Sequence, residues 1–137
     1  MNEQVESYFV NTYIQNKYRE RLLFELKDAN GKNQKRRNNA FKKFSHSAEE
    51  YVIPGMIAAS SNDLTEQGVL EFVRDMAGEG SCYYMDDCGG EEMPLHSAVE
   101  KAFNYAGASI IVYKKVFSVI KEETEIGSPK KIILINR

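Results

Sequence analysis

The sequence contains no apolar run near the roughly 20 residues that a membrane-spanning helix needs, so we expect no membrane segment. Its first ten residues, MNEQVESYFV, carry no positive patch followed by an apolar stretch, and we therefore expect no secretory signal. Only two cysteines are present, Cys82 and Cys88. Because cytosolic proteins keep their thiols reduced, we expect a cytoplasmic protein with two free thiols, although the separation of the cysteines would permit a disulfide in a turn.

Residues 75–100, DMAGEGSCYYMDDCGGEEMPLHSAVE, contain neither lysine nor arginine. The same segment carries seven acidic residues, both cysteines, one of the two histidines and a Tyr-Tyr pair. It contains neither a GxGxxG nor a GxxxxGK[ST] motif, and its negative charge would repel the phosphates that such loops bind. No enzyme signature rises above background, and we expect a non-enzymatic protein that uses no cofactor.

Positive charge is concentrated in a different segment. Residues 32–43 contain no acid and six basic residues, which are Lys32, Lys35, Arg36, Arg37, Lys42 and Lys43. Of the 18 basic residues, 12 lie outside this segment, together with all 20 acidic residues, so a net charge of −2 hides a basic segment on an acidic body. Charge separated in this way influences association and steering more than it influences the fold.

The N-terminal third has the apolar spacing of helices. One helix is predicted over residues 2–27 and is expected to end at the sequence DANG, residues 28–31. A second helix is predicted over residues 33–52, with Phe41, Phe44 and Ala48 on its buried face. Together the two are expected to form an antiparallel helical hairpin over residues 1–52.

Residues 53–137 are expected to form an α/β part, with a β-rich C-terminal end, in the same single domain of residues 1–137. Helices are predicted over residues 63–77, where Asp63 and Glu66 match a capping box, and over residues 94–106. Residues 86–92 are expected to form an exposed loop.

Apolar and β-branched runs indicate strands in the same part of the chain. Strands are predicted at residues 109–113, 116–120 and 131–135, while residues 56–59 are either a short strand or a connector. A short helix remains an alternative for residues 116–120, and residues 81–85 are β-prone but short. The element order predicts an α/β or α+β fold in which helices cover a mixed sheet of three to four strands.

Cys82, Cys88 and His96 are close in the sequence, but their C-x5-C-x7-H spacing differs from that of structural zinc sites and lacks a fourth ligand unless His46 supplies it. We therefore expect no metal site. A cysteine nucleophile activated by either histidine would need a thiolate, whereas the nearby carboxylates favour the thiol. A small enzyme with a cleft near Cys82 and His96 remains the third hypothesis.

Residues 75–100, the acidic segment, are predicted to bind a basic protein, because complementary charge accelerates encounter and selects partners. The predicted charged contacts are Asp86, Asp87, Glu91 and Glu92. Tyr83 or Tyr84 is predicted to be an aromatic anchor. Since side chains alternate along a strand, we expect only one of these two tyrosines to face outward.

The sequence DDCGGEEM at 86–93, on a compact acidic domain without a catalytic signature, resembles small acidic bacterial immunity proteins. Proteins of this kind neutralise a secreted toxin by covering its active site, so the resemblance implies a basic partner such as a nuclease-type toxin. The likeness is one of general character over the whole chain and implies no oligomeric state. The segment GKNQKRR at 31–37 departs from it, and leaves the helical hairpin as a second possible contact surface.

The alternative hypothesis is a nucleic-acid-associated regulator that uses the basic helix. Its phosphate contacts would be Lys35, Arg36, Lys42 and Lys43. Phe41 and Phe44 lie on the face assigned to the core, which makes them poor platforms for base stacking, and a pI near 5.8 is not typical of a nucleic-acid-binding domain. We therefore favour a protein partner over nucleic acid.

Overall fold

The computed structural model describes residues 2–27, 34–78, 80–125 and 127–136. Within these residues the chain forms six α-helices and a six-stranded sheet. The helices are α1 Glu3–Tyr13, α2 Asn16–Leu26, α3 Gln34–His46, α4 Ala48–Tyr51, α5 Glu66–Val73 and α6 Leu95–Asn104. The strands are β1 Ile57–Ser61, β2 Ser81–Asp86, β3 Gly89–Pro94, β4 Ser109–Tyr113, β5 Phe117–Lys121 and β6 Lys131–Ile135.

The single helix predicted over residues 2–27 is wrong, because the chain breaks into α1 and α2 at Ile14 and Gln15. Ile14 has an extended backbone and forms an isolated bridge with Val52. The Gln15 backbone N–H donates to the carbonyl of Tyr51 over 2.8 Å, and its side-chain amide donates to the carbonyl of Val52 over 3.0 Å. Pairing with the end of α4 and the residues that follow it therefore overrides a helical pattern that is continuous through the break.

The helical hairpin consists of α1 and α2 instead of the two predicted long helices. The first turn of α1 and the last turn of α2 line one cavity, so the two helices run antiparallel. The predicted helix over residues 33–52 is divided into α3 and α4 at Ser47, while Phe41, Phe44 and Ala48 are buried as predicted. The predicted turn at residues 28–31 lies outside the described residues.

The sheet has the order β1-β6-β5-β4-β2-β3 and every neighbouring pair is antiparallel. The predicted mixed sheet of three to four strands is therefore wrong in both strand number and direction, and the fold is α+β. The strands predicted at residues 109–113 and 131–135 are confirmed as β4 and β6, and residues 117–121 form a strand, not a helix. Of the two alternatives for residues 56–59, a strand or a connector, the strand is correct, because residues 57–61 form β1.

One local prediction about residues 63–94 is wrong, and another is correct only in part. Residues 86–92 are not a loop, because a turn at Asp87 and Cys88 leads directly into β3. The helix predicted over residues 63–77 begins later, at α5, where Thr65 is the N-cap and its hydroxyl accepts a 3.0 Å hydrogen bond from the N–H of Gly68. The helix is therefore capped by this threonine, two residues after the Asp63 that matches a capping box.

The helices cover both faces of the sheet, so the molecule has three layers and two apolar cores. Side chains of α1 to α4 pack on one face, where they meet Tyr83, Met85 and Ile110. Side chains of α5 and α6 pack on the other face, where they meet Tyr84 and Ile111. Because successive side chains of a strand alternate between faces, the central strands are apolar at almost every position.

No helix in the described part of the chain has both the length and the apolar character needed to cross a membrane.

Two lysines are buried in the sheet. Lys121 and Lys131 are 1% and 3% exposed and stand opposite each other on β5 and β6. The ammonium group of Lys121 donates to the carbonyl of Tyr105 over 2.6 Å, and that of Lys131 donates to the carbonyl of Asn62 over 2.7 Å. Burial lowers the pKa of both lysines, and that of Lys121 falls to about 8 with a further contribution from Lys131.

We predict that Lys121 makes stability rise with pH above neutrality. Between a folded pKa of about 8 and the ordinary value of 10.5, the unfolded chain keeps a proton that the folded protein has lost, so the free energy of unfolding increases with pH. Relative to Lys121→Met, we expect the free energy of unfolding of the unmodified protein to increase by about 2 kcal/mol between pH 7 and roughly pH 9.5. Urea unfolding in chloride buffer measures this difference.

The comparison with Lys121→Met is needed because other groups act in the opposite direction. Burial raises the pKa of Cys82 and of several tyrosines, which makes the folded state less stable as pH rises past the ordinary values of these groups. Their contribution is common to both proteins and cancels in the difference. Parallel pH profiles for the two proteins would contradict the prediction.

Candidate functional site

Residues 81–94 of the acidic segment form a β-hairpin at one edge of the sheet. The hairpin register runs from Ser81 opposite Pro94 to Asp86 opposite Gly89. β3 is the last strand in the sheet order, and in the described part of the chain no strand pairs with its outer side. A strand in this position presents unpaired backbone N–H and C=O groups, which another extended segment can pair with.

Arg37 of α3 holds the closed end of the hairpin. Its guanidinium is buried and donates to both carboxylate oxygens of Glu6, with Nη1 to Oε1 at 2.8 Å and Nη2 to Oε2 at 3.0 Å. It also donates to the carbonyls of Asp86 (2.9 Å) and Gly89 (3.0 Å), one on each side of the turn. The planar fork of donors in arginine suits this arrangement, and one side chain thereby joins α1, α3, β2 and β3.

Tyr83 completes the same network from β2. Its hydroxyl donates to Glu6 Oε2 over 2.7 Å and accepts a 3.0 Å hydrogen bond from the N–H of Asn2. Burial raises the pKa of Tyr83 far above its ordinary value, and the carboxylate of Glu6 raises it further, so the hydroxyl stays protonated and donates. A Cβ atom at Gly90 would lie 1.9 Å from the Tyr83 hydroxyl oxygen, which explains the glycine at that position of β3.

Tyr84 and Asp86 form a second buried group on the opposite face. The Tyr84 hydroxyl donates to Asp86 Oδ2 over 2.7 Å and lies 3.1 Å from the hydroxyl of Ser109. Asp86 Oδ1 accepts the backbone N–H of Cys88 over 2.8 Å, so this carboxylate closes the turn from within. Burial, with a contribution from the hydrogen bond to Asp86, raises the pKa of Tyr84.

Side chains from the end of α6 cover the turn. The Tyr105 hydroxyl donates to the carboxylate of Asp87 and lies 3.5 Å from Cys88 Sγ. Burial raises the pKa of Tyr105, and its hydrogen bond to Asp87 raises it further. Lys101 Nζ donates to Glu91 Oε1 over 2.8 Å and lies 4.7 Å from the centre of the Tyr84 ring. Several of these residues border an open cavity of about 500 Å³ beside the hairpin.

The six predicted contact residues fall into two groups. Tyr83, Tyr84 and Asp86 are buried, with 3%, 1% and 4% exposure, so they are not available as contacts in this conformation. The expectation that one tyrosine faces outward is wrong, because helices cover both faces of the sheet and each tyrosine enters a different core. Glu91 and Glu92 are exposed and Asp87 is partly exposed, and the partner-binding role of these three stays a prediction.

The two exposed glutamates of β3 project to opposite faces of the sheet. Glu91 stands opposite Tyr84 and pairs with Lys101 of α6, whereas Glu92 stands opposite Tyr83 on the face that α1 covers. Among the residues that the structure describes, Glu92 forms no ion pair. The edge strand therefore carries one carboxylate above and one below its line of unpaired backbone groups.

The cysteines and histidines do not converge on a common site. Both cysteines are free, and Cys82 is buried. Burial raises the pKa of the Cys82 thiol to about 11. The thiol therefore stays protonated and donates to the carbonyl of Met93 over 3.3 Å. Cys88 and His96 are exposed. A protonated, buried thiol is unsuited to nucleophilic attack, since the thiolate is the reactive form.

Potential metal-ligand atoms approach within 4.8 Å of one another at two places in the described residues. One is the group Asp86, Asp87 and Cys88, whose carboxylates already accept the hydrogen bonds that form the turn. The other is exposed, with His46 Nε2 3.2 Å from Glu123 and 3.3 Å from Glu125. Cys82 and His96 belong to neither group.

The basic residues of α3 are divided between surface and interior. Lys35 and Lys42 are exposed, whereas the ammonium group of Lys43 pairs with the buried carboxylate of Glu25. Arg37 is committed to the hairpin network. Lys32 lies outside the described residues. The segment of six basic residues therefore does not form one continuous cationic surface.

Phe24 is a surface residue that the sequence interpretation missed. Its ring is 46% exposed and lies 4.4 Å from the guanidinium carbon of Arg36 and 5.3 Å from that of Arg21. A signal was present, because position 24 is about 200° around the helix from Leu22 and so lies off the apolar stripe. An aromatic side chain at such a position is directed away from the core.

We predict that the Arg37 network supplies much of the stability of the hairpin. Arg37→Met leaves the carboxylate of Glu6 buried without its cation, and we expect the free energy of unfolding to fall by about 3–5 kcal/mol. Glu6→Gln combined with Arg37→Met removes both charges and is expected to recover part of this loss. Urea unfolding at neutral pH measures the free energy of unfolding of the unmodified protein, of Arg37→Met and of the double variant.

Arg36→Met is the matched control, because it removes the neighbouring arginine, which packs over the Phe24 ring at the surface. We expect it to cost less than about 1 kcal/mol. If Arg36→Met and Arg37→Met were equally destabilising, the buried network would not be what holds the hairpin.

No protein-family model, no curated protein and no solved structure matches this chain. The resemblance to immunity proteins therefore stays a prediction, and the geometry of the hairpin and of the surfaces around it is the basis for a function.

Proposed function

We propose that the protein is a non-enzymatic binding protein that recognises a basic protein through the edge strand β3. Glu91 and Glu92 are the charged contacts, and Asp87 lies beside them at the turn. The most concrete form of this function is that of an immunity protein, which neutralises a toxin by occluding its active site. Tyr83, Tyr84 and Asp86 take a supporting role in the proposal, because they hold the hairpin from inside.

The observation that carries the proposal is an open strand edge with a carboxylate on each side. An extended segment that pairs with β3 would place its side chains alternately on the two faces of the sheet. A lysine or arginine on one face would meet Glu91, and one on the other face would meet Glu92. Backbone pairing would supply affinity, while the two carboxylates would select a cationic segment.

The same charges disfavour pairing between two copies of the protein. Two β3 strands placed edge to edge would bring their glutamates together, and like charges on neighbouring strands are destabilising. Charged side chains on an edge strand and a proline at its end, here Pro94, both reduce self-association. The surface therefore favours a basic partner over a second copy.

The hairpin is held in place before any partner arrives. Four hydrogen bonds from Arg37 and the hydroxyl of Tyr83 fix the closed end to α1 and α3. A preformed contact surface avoids part of the entropy cost of association. The protonated states of Cys82 and Tyr84 also suit a structural role, since neither group can act as a base or nucleophile near neutral pH.

We predict that reversing the charge of the edge strand slows association with the partner. Glu91→Lys combined with Glu92→Lys should reduce the association rate at least about tenfold at low salt and flatten its salt dependence. The melting temperature should change little, since both side chains are exposed. The measurement is affinity capture from the native host, followed by association kinetics with the identified protein at two salt concentrations.

Glu20→Lys combined with Glu50→Lys is the matched control, because it changes the net charge equally through exposed acids of α2 and α4. We expect this control to bind almost as fast as the unmodified protein. Equal slowing in the two double variants would show that net charge, not the edge strand, governs association.

Nucleic-acid binding is the second candidate, and the exposed Phe24 ring favours it. Phe24 lies beside Arg21 and Arg36, with Lys35 exposed on the neighbouring helix. An exposed aromatic ring among cationic side chains is the arrangement on which bases of single strands stack. The pairing of Lys43 and the burial of Arg37 reduce the charge that this surface offers to phosphates, which is why we place it second.

A labelled single-stranded RNA distinguishes the second candidate. If nucleic acid is the ligand, fluorescence anisotropy at low salt should detect binding, and Phe24→Ala should weaken it by about 1–3 kcal/mol. Phe72→Ala is the matched control, because Phe72 is exposed to a similar degree, 42% against 46%, but lies on α5. No binding at low salt, or equal effects of the two substitutions, would eliminate this candidate.

A further inference from the structure

Lys121 and Lys131 bring two buried positive charges to one place. They are directly opposite in the register of β5 and β6, and they share the face of the sheet that carries Val119 and Ile133. That face is covered by α5 and α6. Neither lysine contributes to the hairpin, so a role for this pair is independent of the function proposed for β3.

The hydrogen bonds of both ammonium groups are to neutral oxygens, and Lys131 Nζ also lies 5.6 Å from the centre of the Phe103 ring. Lys121 Nζ donates to the carbonyl of Tyr105 at 2.6 Å and to the hydroxyl of Thr124 at 3.3 Å, and Lys131 Nζ donates to the carbonyl of Asn62 at 2.7 Å. Each ammonium group has three N–H donors, so three of the six have no acceptor among the residues that the structure describes. Within residues 2–27, 34–78, 80–125 and 127–136, neither lysine forms an ion pair.

Both lysines line a cavity of about 430 Å³ that opens beside the start of α5. Thr65, the N-cap of α5, also lines it, and the positive end of the helix dipole adds to the charge of the two ammonium groups. Leu64 and Phe103 supply apolar surface to the same cavity. Its volume lies in the range of sites for small molecules.

Acidic side chains near this cavity do not neutralise the lysines by direct contact. Asp63 and Glu66 line the cavity, and Asp63 is near enough to Lys131 to raise the pKa of that lysine, though burial lowers it more. Glu123 acts in the same way on Lys121, where burial again has the larger effect. Two desolvated cations that face each other without a bound anion are costly, because each destabilises the other.

We propose that this cavity binds a small organic anion whose phosphate or carboxylate group bridges Lys121 and Lys131. The free N–H donors of the two ammonium groups provide charge-assisted hydrogen bonds to the oxygens of the anion. The cavity is larger than a phosphate ion, so the ligand extends beyond its anionic group and contacts Leu64 and Phe103. Binding offsets the repulsion between the lysines and stabilises the packing of α5 and α6 on this end of the sheet.

The test uses inorganic phosphate and citrate as probes, against sodium chloride of equal ionic strength at pH 7. At ten times its dissociation constant, a bound anion should raise the melting temperature by about 3–5 °C. A rise in melting temperature with either probe supports the proposal. A rise with both indicates a site that accepts phosphate and carboxylate alike, and a rise with one alone identifies the favoured group. No rise beyond that in chloride would overturn it.

Variants locate the effect. Lys121→Met and Lys131→Met should abolish the anion-dependent rise, because each removes one of the two bridging donors. Lys130→Met is the matched control, since Lys130 is adjacent in the chain but pairs with Glu49, 3.4 Å away and partly exposed. The control should keep the full rise, and an equal loss in Lys130→Met would overturn the proposal.

Amide chemical shifts of the unmodified protein provide a second readout that does not depend on the variants folding. Titration with phosphate should move the resonances of residues 62–66 and of Thr124, which surround the cavity. The resonances of β3 should not move. Perturbations confined to α3 or to the hairpin would place the anion elsewhere and overturn the assignment.

Discussion

The buried ion pair between Arg37 and Glu6, together with the hydroxyl of Tyr83, is the interaction on which the hairpin depends. Removing two charges from water is costly, and the cost is offset only where nearly every donor and acceptor finds a partner. Here the guanidinium donates to Glu6 and to the carbonyls of Asp86 and Gly89, while Glu6 also accepts from Tyr83. A glycine-rich strand with little intrinsic preference for the sheet is thus fixed by partners from α1 and α3.

A polar row crosses the sheet and relates the hairpin to the lysine cavity. The register places Ser61, Lys131, Lys121, Ser109 and Asp86 side by side on successive strands. The row marks where the core beneath α5 and α6 ends, so each polar group must find a partner at its border. Tyr105 contacts both the lysine pair and the turn of the hairpin, because its carbonyl accepts from Lys121 and its hydroxyl donates to Asp87.

The sequence predicts the elements whose signals are local and misses those that distant contacts create. Residues 109–113 and 131–135 are apolar on both faces, which is sufficient to identify central strands. The sequence GGEE in β3 resembles a loop, because its strand structure comes from pairing with β2 and from contacts with an arginine some 50 residues earlier in the chain. Helical spacing does place Arg37 on the buried stripe of Phe41 and Phe44 and leaves Arg36 off it. Nothing local, however, identifies the carboxylate and the carbonyls that Arg37 binds.

The acidic composition of residues 75–100 also overstates the charge that a partner would meet. Asp86 is buried and Asp87 is held by Tyr105, so Glu91 and Glu92 dominate the edge of β3. The ion pair between Glu91 and Lys101 is exposed on both sides and contributes about 0–1 kcal/mol. A cationic side chain of a partner can therefore replace Lys101 at small cost, and the displaced lysine can return to water. The ion pair with Lys101 thus holds Glu91 at the edge of β3 but leaves it accessible to a cationic group that binds it more strongly.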